Sequence, residues 1–386
     1  MKYRELGRTG LSVSVVGLGC ENLDGKPCEA VRDTIAAALE HGVNLFDVFM
    51  PGAEIRQNIA KAFGGARKNV YIQGHIGSTD VEQQYDISRD LPTVTKYFEE
   101  LLREFGYIDL GMLFFIDSEK DYQDVFETDF ITYVQRLKEN GDIRHIGFSS
   151  HNPKTAIKVI NTGVPEMMMF SINPAFDLLP PDEYTLDHML EGFGAELFRG
   201  IDPARAELYK LCSQRQIGIT VMKSLGGGRL ISKEHSPFAR PLTVPQCVHY
   251  ALSRPAVSSV LVGCQSPAEI ADTMRYFTLS DDERDYTDVL QTLYNDFKGN
   301  CVYCSHCQPC PSGIDIAAVN KYLDIARLDV SHVPLSILSH YKSLPHGGDA
   351  CIQCGSCEAR CPFDVPIIKN MTEAALLLGG KAVTAP

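Results

Sequence analysis

Along the first 280 residues, two kinds of segment alternate. Short, nearly continuous apolar runs fall at 13–20, 44–49, 70–76, 108–116, 145–150, 167–173, 218–224 and 258–264. Strands covered on both faces read this way, because neither face meets water. Between them lie longer stretches with apolar residues at helical spacing, at 30–41, 93–105, 121–140, 202–216, 244–253 and 268–277. Eight β–α units over about 250 residues predict an α/β fold, the (β/α)8 TIM barrel. A doubly wound sheet would instead want a G-x-G-x-x-G turn after its first strand. The chain reads GLGCENLDG there.

Two connections are longer than plain barrel turns, at 77–92 and 174–200. Both follow strand C-termini, the face on which barrels build their sites, and are expected to be substrate loops. The pattern divides the chain into a barrel at 1–280, a helical linker at 281–299, a cysteine-rich domain at 300–370 and a tail at 371–386. That domain is expected to be small and mostly α-helical, with helices at 314–327 and 334–341 between its cysteine runs.

Charge narrows the function. The chain carries a formal net charge of −13. An acidic surface gains nothing from a phosphate backbone or an anionic leaflet, so no nucleic-acid or membrane partner is expected. No stretch reaches the roughly 20 apolar residues of a membrane span. The N-terminus does not read as a signal peptide, and the protein is expected to be cytoplasmic.

Of 13 cysteines, eight crowd into residues 301–361. In a cytosolic chain such crowding reads as metal ligation rather than disulfides. The first run is CVYCSHCQPCP, with Cys301, Cys304, Cys307 and Cys310. The second is CIQCGSCEARCP, with Cys351, Cys354, Cys357 and Cys361. The second has the C-x2-C-x2-C-x3-C-P spacing of bacterial ferredoxins, in which three thiolates hold three irons of a cube and the fourth ligates the other cluster. Two [4Fe–4S] clusters are therefore expected, one on Cys301, Cys304, Cys307 and Cys361, the other on Cys351, Cys354, Cys357 and Cys310. The first run has two residues, not three, before its last cysteine, so the crossed pairing is less firmly specified than the clusters. Zinc would want two CxxC knuckles separated by a longer loop.

The segments LGRTGLSVSVVGLG, NLFDVF, GYIDLGMLFFID, GDIRHIGFSSHNP and LGGGRL occur in this order. In them the chain resembles the aldo-keto reductase family over roughly residues 1–280, and end to end its subgroup with a C-terminal ferredoxin-like module. The resemblance implies a (β/α)8 barrel that transfers hydride between a nicotinamide and a carbonyl, helped by an Asp, a Tyr, a Lys and a His. Such chemistry needs a proton donor for the developing oxyanion and neighbours that tune it.

Of that set, Asp47 matches the Asp. Gly52 stands near the place of the Tyr, His75 at that of the Lys and Phe114 at that of the His. His151 and Asn173 fall where the family holds the nicotinamide amide. Gly226, Gly227 and Gly228, with Lys223 before them, are candidates to cradle a pyrophosphate. The family's basic residues for a 2′-phosphate fall on Gly263 and Glu269, which disfavours NADPH and leaves NADH, a flavin or no nicotinamide. The expected catalytic residues are Asp47 and His75 as an acid–base pair, with Tyr85 replacing the lost Tyr. Arg89 is expected to clamp a substrate carboxylate or phosphate, and Phe114 to contact substrate.

Three functions follow. The first is an oxidoreductase whose barrel binds a small organic substrate while the clusters pass single electrons, with a flavoprotein or ferredoxin as partner. The second is an NADH-dependent carbonyl reductase with structural clusters. The third is a non-catalytic electron-transfer or binding subunit.

Overall fold

The computed structural model describes residues 1–81, 84–178, 202–234, 236, 238, 240–290, 299–301, 303, 306–327, 330, 333 and 335–379. Eight parallel strands close a barrel: β1 (Val16–Gly19), β2 (Leu45–Val48), β3 (Tyr71–Ile76), β4 (Ile108–Leu113), β5 (Ile143–Ser150), β6 (Met167–Ser171), β7 (Gly218–Met222) and β8 (Val257–Gly263). Each pairs with the next in chain order, and β8 returns to β1 with Val260 opposite Val16. All eight expected apolar runs contribute a barrel strand.

The crossover helices that cover the barrel are α1 (Cys28–Glu40), α2 (Ala53–Phe63), α3 (Leu91–Phe105), α4 (Asp129–Asn140), α5 (Pro153–Asn161), α6 (Pro203–Arg215), α7 (Val244–Ser253) and α8 (Pro267–Met274). Local chemistry starts several of them. Asp90, Thr128, Asn152, Asp202, Thr243 and Ser266 each accept a backbone N–H in the first turn of the helix that follows. Such caps satisfy donors that a helix cannot pair internally.

The structure departs from the pattern in three places. The run at 13–20 is broken: Ser12–Ser14 pairs antiparallel with Tyr3–Glu5, and the barrel strand begins at Val16. The hairpin sets Leu6 and Val13 among Leu45, Leu110, Met167 and Leu261 in the barrel interior. The stretch at 121–140 is two helices, Glu119–Phe126 and Asp129–Asn140, because the Thr128 hydroxyl caps a fresh start at Phe130. The connection at 77–92 is a hairpin of Ser78–Val81 with Gln84–Ile87. Of the connection at 174–200, the helix Pro174–Leu178 is described; residues 179–200 lie outside the described residues.

Beyond the barrel come α9 (Ile316–Arg327), α10 (Leu335–Lys342) and α11 (Ile367–Leu378), which runs past the expected boundary at 370. Val319, Leu323, Ile337, Met371 and Leu378 are buried in the same apolar core as the barrel's outer helices. Arg254, at the C-terminal end of α7 and buried, stacks over Tyr250 at 4.3 Å and over Tyr303 at 4.9 Å. Tyr303 in turn donates to Asp324 on α9 at 2.9 Å. Among the described residues, no helix is long and apolar enough to cross a membrane.

The N-terminal turn meets β7 closely. A Cβ on Gly218 would stand 2.5 Å from the Gly7 nitrogen and 2.6 Å from the Leu6 carbonyl carbon, both backbone. Backbone cannot swing aside as a side-chain tip can. Gly218→Ala is expected to destabilise the barrel by about 1–3 kcal/mol, read as a lowered thermal midpoint.

Candidate active site

The C-terminal ends of the strands enclose a cleft of about 810 Å³. Three inward-facing residues set its chemistry. Asp47, near the end of β2, and Gln73 and His75, two apart on β3, point to the same side of their strands. Nε2 of His75 lies 2.8 Å from Oδ1 of Asp47, and Gln73 Nε2 donates to the same oxygen at 2.8 Å. Thr220 on β7 donates to Oε1 of Gln73 at 3.0 Å, and the Asp47 carboxylate, which only accepts, takes the NH2 end of that amide. All four side chains are buried. With Nε2 engaged by the carboxylate, His75 Nδ1 is left buried without a partner among the described residues.

An aromatic wall covers this pair. Phe49 and Phe114 stand edge-on to the His75 ring at 6.0 and 5.2 Å, and Tyr85 packs on Phe49 at 5.2 Å. Phe114 lines the cleft. Phe115 beside it has φ +55°, a strained conformation for a bulky residue. Its amide donates to Ser149 Oγ at 2.8 Å, and its carbonyl accepts from Arg89 at 3.0 Å.

Several expected roles need correction. Arg89 does not line the cleft: its guanidinium donates to the Phe114 and Phe115 carbonyls, and burial lowers its pKa to about 10. It braces the strand end and is no anion clamp. Tyr85 lines the cleft, but burial and then Glu21 raise its hydroxyl pKa. That is the reverse of what a proton-donating Tyr with a Lys neighbour requires. Asn173 is buried with its amide spent, donating to the Lys223 carbonyl at 2.8 Å and accepting from the Phe176 amide at 2.9 Å. Gly227, Gly228 and Lys223 line the cleft, whereas Gly226 packs against Leu230.

His151 lines the cleft and is held by Asp117, a residue that the sequence did not single out. Its Nδ1 lies 2.8 Å from Oδ2 of Asp117, whose Oδ1 accepts the His151 amide at 2.6 Å and Ser150 Oγ at 2.9 Å. Burial would raise the Asp117 carboxyl, but the His151 ring and these donors outweigh it, and the net shift is downward. Phe49, Gln73, Asp117 and Thr220 were all missed. Only Gln73 carried a signal, its same-face spacing from His75.

The cysteines gather elsewhere, in two small cavities. One is lined by Cys310, Cys351, Cys354 and Cys357, with Arg360, Ile368 and Met371 around them. The other is lined by Cys301, Cys307 and Cys361, with Ile316 and Asn320 of α9. Cys304 lies outside the described residues. Among the described residues, no three or more His, Cys, Asp or Glu are gathered closely enough for one metal ion. A cube places each thiolate on its own iron, so its ligands stand farther apart than those of a single ion.

The pattern of the aldo/keto reductase family matches residues 15–246, and the chain belongs to that family. It is 24% identical over 289 residues to YqkF, an uncharacterized oxidoreductase of Bacillus subtilis, covering 71% of this chain and 90% of that one. It is 23% identical over 310 residues to L-galactose dehydrogenase of Arabidopsis thaliana, covering 72% and 88%. Among solved structures, the holo form of the aldo-keto reductase AKR11C1 from Bacillus halodurans superposes with a TM-score of 0.57 at 21% identity, covering 76% of this chain and 96% of that one. PA4992 of Pseudomonas aeruginosa gives 0.54 at 19% identity, covering 71% and 93%. The oxidoreductase class and the barrel follow from these matches, which leave the cysteine region unaccounted for.

Asp117→Ala is expected to cost about 3–5 kcal/mol near neutral pH, because it strands the groups that converge on a buried carboxylate. The folded-state pKa of Asp117 is depressed, so its stabilisation is present above the unfolded value of about 3.9 and lost as pH falls through the folded one. Denaturation of the two proteins across pH should show the gap narrow below about pH 4.

Proposed function

We propose that this chain is an iron–sulfur oxidoreductase whose barrel cleft takes a small organic substrate. In this reading Cys301, Cys304, Cys307 and Cys361 hold one [4Fe–4S] cluster, and Cys310, Cys351, Cys354 and Cys357 hold the other. The observation that carries it is the mixing of the two runs. One cavity is lined by Cys351, Cys354 and Cys357 with Cys310, the last cysteine of the other run; the second is lined by Cys301 and Cys307 with Cys361, again the last cysteine of the other run. That mixing supports the crossed ligation of ferredoxins as the reading for both centres. The donors are all thiols, the ligand that iron–sulfur clusters take. When bound, such clusters supply or remove electrons one at a time.

The barrel's own part is proton chemistry. Asp47 orients His75 and offsets the charge that its ring would gain. Nδ1 is the atom available to take a proton from a substrate hydroxyl or to return one to a substrate oxygen. Gln73 and Thr220 hold Asp47 in register, and the Phe49, Tyr85 and Phe114 wall keeps water from the ring. Of the family's four acid–base groups one is retained, so carbonyl reduction by the family's usual Tyr and Lys is not carried over to this chain. A flavoprotein or ferredoxin is the class of partner that would exchange electrons with the thiol-bound centres.

Anaerobic purification tests the centres. Roughly eight irons and eight sulfides per chain are expected, with a dithionite-reduced paramagnetic signal. Cys361→Ser should remove the centre on Cys301 and Cys307, and Cys310→Ser the centre on Cys351 and Cys357. Zinc in place of iron, or no metal after reconstitution, would overturn the reading. Once a turnover substrate is found, His75→Gln should slow the reaction by about 10²–10⁴ in steady-state assays.

A further inference from the structure

We infer that the barrel cleft has closed the site at which its family holds a dinucleotide, and that its ligand is a phosphate-free neutral or cationic organic molecule. The inference rests on the cleft being the substrate site, as proposed above. Backbone N–H groups, a free ammonium and a helix N-terminus are what ordinarily hold a pyrophosphate. Here the chain's own groups engage each kind.

The glycine turn comes first. Gly226, Gly227 and Gly228 all have positive φ, at +58°, +65° and +87°, which folds the segment back on itself. The Gly226 N–H donates to the Lys223 carbonyl at 2.8 Å and the Gly228 N–H to the Leu225 carbonyl at 3.1 Å. These two donors close the turn and do not face a ligand. Lys223, itself at φ +58°, carries the ammonium, which lies 3.6 Å from the Glu21 carboxylate. The N-terminus of α8 is taken by its own residues. Ser266 Oγ accepts the Glu269 amide at 3.4 Å, and the Glu269 carboxylate accepts the Gln265 amide at 2.9 Å.

The charge of the lining points the same way. Among the described residues that line the cleft, the carboxylates are Glu21, Asp47, Glu269 and Asp272, and the cation is Lys223. Asp272 pairs at 3.0 Å with Arg275, which is not part of the lining. A phosphate entering beside α8 would meet Glu269 where it needs a donor. At the other end, His75 Nδ1 is a buried polar atom without a partner among the described residues, which a hydroxyl or ammonium group would satisfy. The Phe49 and Phe114 rings offer apolar and π-face contact to the same ligand.

Calorimetric titration of the intact, cluster-loaded protein tests this, with NADH, NADPH and inorganic pyrophosphate as probes. No saturable binding is expected for any of the three. The double variant Glu21→Gln, Glu269→Lys changes two exposed side chains, frees Lys223 and reverses the charge at α8. It should gain roughly tenfold or more in affinity for pyrophosphate. Saturable binding of NADH or NADPH by the unaltered protein would overturn the inference. So would a folded double variant, with an unchanged thermal midpoint, that gains nothing, because these carboxylates would then not be what excludes phosphate. A protein that binds NADH while retaining its iron sinks this inference and leaves the iron–sulfur reading intact; loss of the iron does the reverse.

Discussion

A carboxylate buried at the mouth of a barrel survives only where donors meet it, and the arrangement around Asp47 follows from that need. Two donors reach one oxygen, from Gln73 and His75 on the neighbouring strand. Gln73 could offer either end of its amide; the carboxylate, which only accepts, takes the NH2 end, and Thr220, across the barrel on β7, donates to the carbonyl end. The imidazole cannot turn without abandoning a buried charge, which is costly in a low-dielectric interior. Hence the Asp–His pair is positioned before any ligand arrives, and positioned by strands rather than loops. Nδ1 is what this arrangement leaves over: among the described residues it is the ring nitrogen without a partner.

The same requirement ties the barrel to the helices beyond it. Asp177, fully buried where β6 gives way to its loop, accepts from Tyr209 at 2.7 Å, Tyr250 at 2.8 Å and Arg205 at 3.3 Å. Tyr250 then lies under Arg254, whose guanidinium also covers Tyr303, within the first cysteine run. Buried charges and hydroxyls thus run from the root of a substrate-side connection through α7 to the thiol cavities. Burial with so many partners makes the contact geometrically specific, whereas an apolar seam alone would tolerate sliding. The cysteine region is therefore seated on the barrel wall by directional bonds as well as by the shared apolar core.

How much of this was legible beforehand depended on whether a feature is local. Barrel strands are covered on both sides, so each announces itself as an apolar run, and all eight were readable. The cysteine spacing is equally local. The break at Thr128 was also written in the chain, as a capping residue inside a helical pattern, but helical periodicity on both sides masked it. Asp47 and His75 were legible because strand ends can be placed from the runs, and Tyr85, Phe114, His151, Lys223, Gly227 and Gly228, also named from the sequence, line the same cleft. Asp117 and Thr220 act across 34 and 147 residues of chain, on His151 and Gln73, and nothing local marks such partners. Arg89 misled for the opposite reason. A cation in a loop over a barrel mouth suggests a ligand clamp, yet backbone carbonyls beside the strained Phe115 compete for it, and they win.

Carbonyl chemistry in this family has two halves, a proton and a hydride, and in this barrel the halves have different fates. The proton half persists in altered form: Asp47 is kept, and an imidazole stands where the resemblance implies a Lys. In the inferred reading the hydride half is lost: the Gly226 and Gly228 N–H groups close their own turn, and the Lys223 ammonium lies 3.6 Å from Glu21. In the proposed reading electrons come from a second source, and the thiol cavities beyond Tyr303 and Arg254 are the place proposed for it. The loss on one side of the barrel and the addition beyond its wall are consistent as a pair.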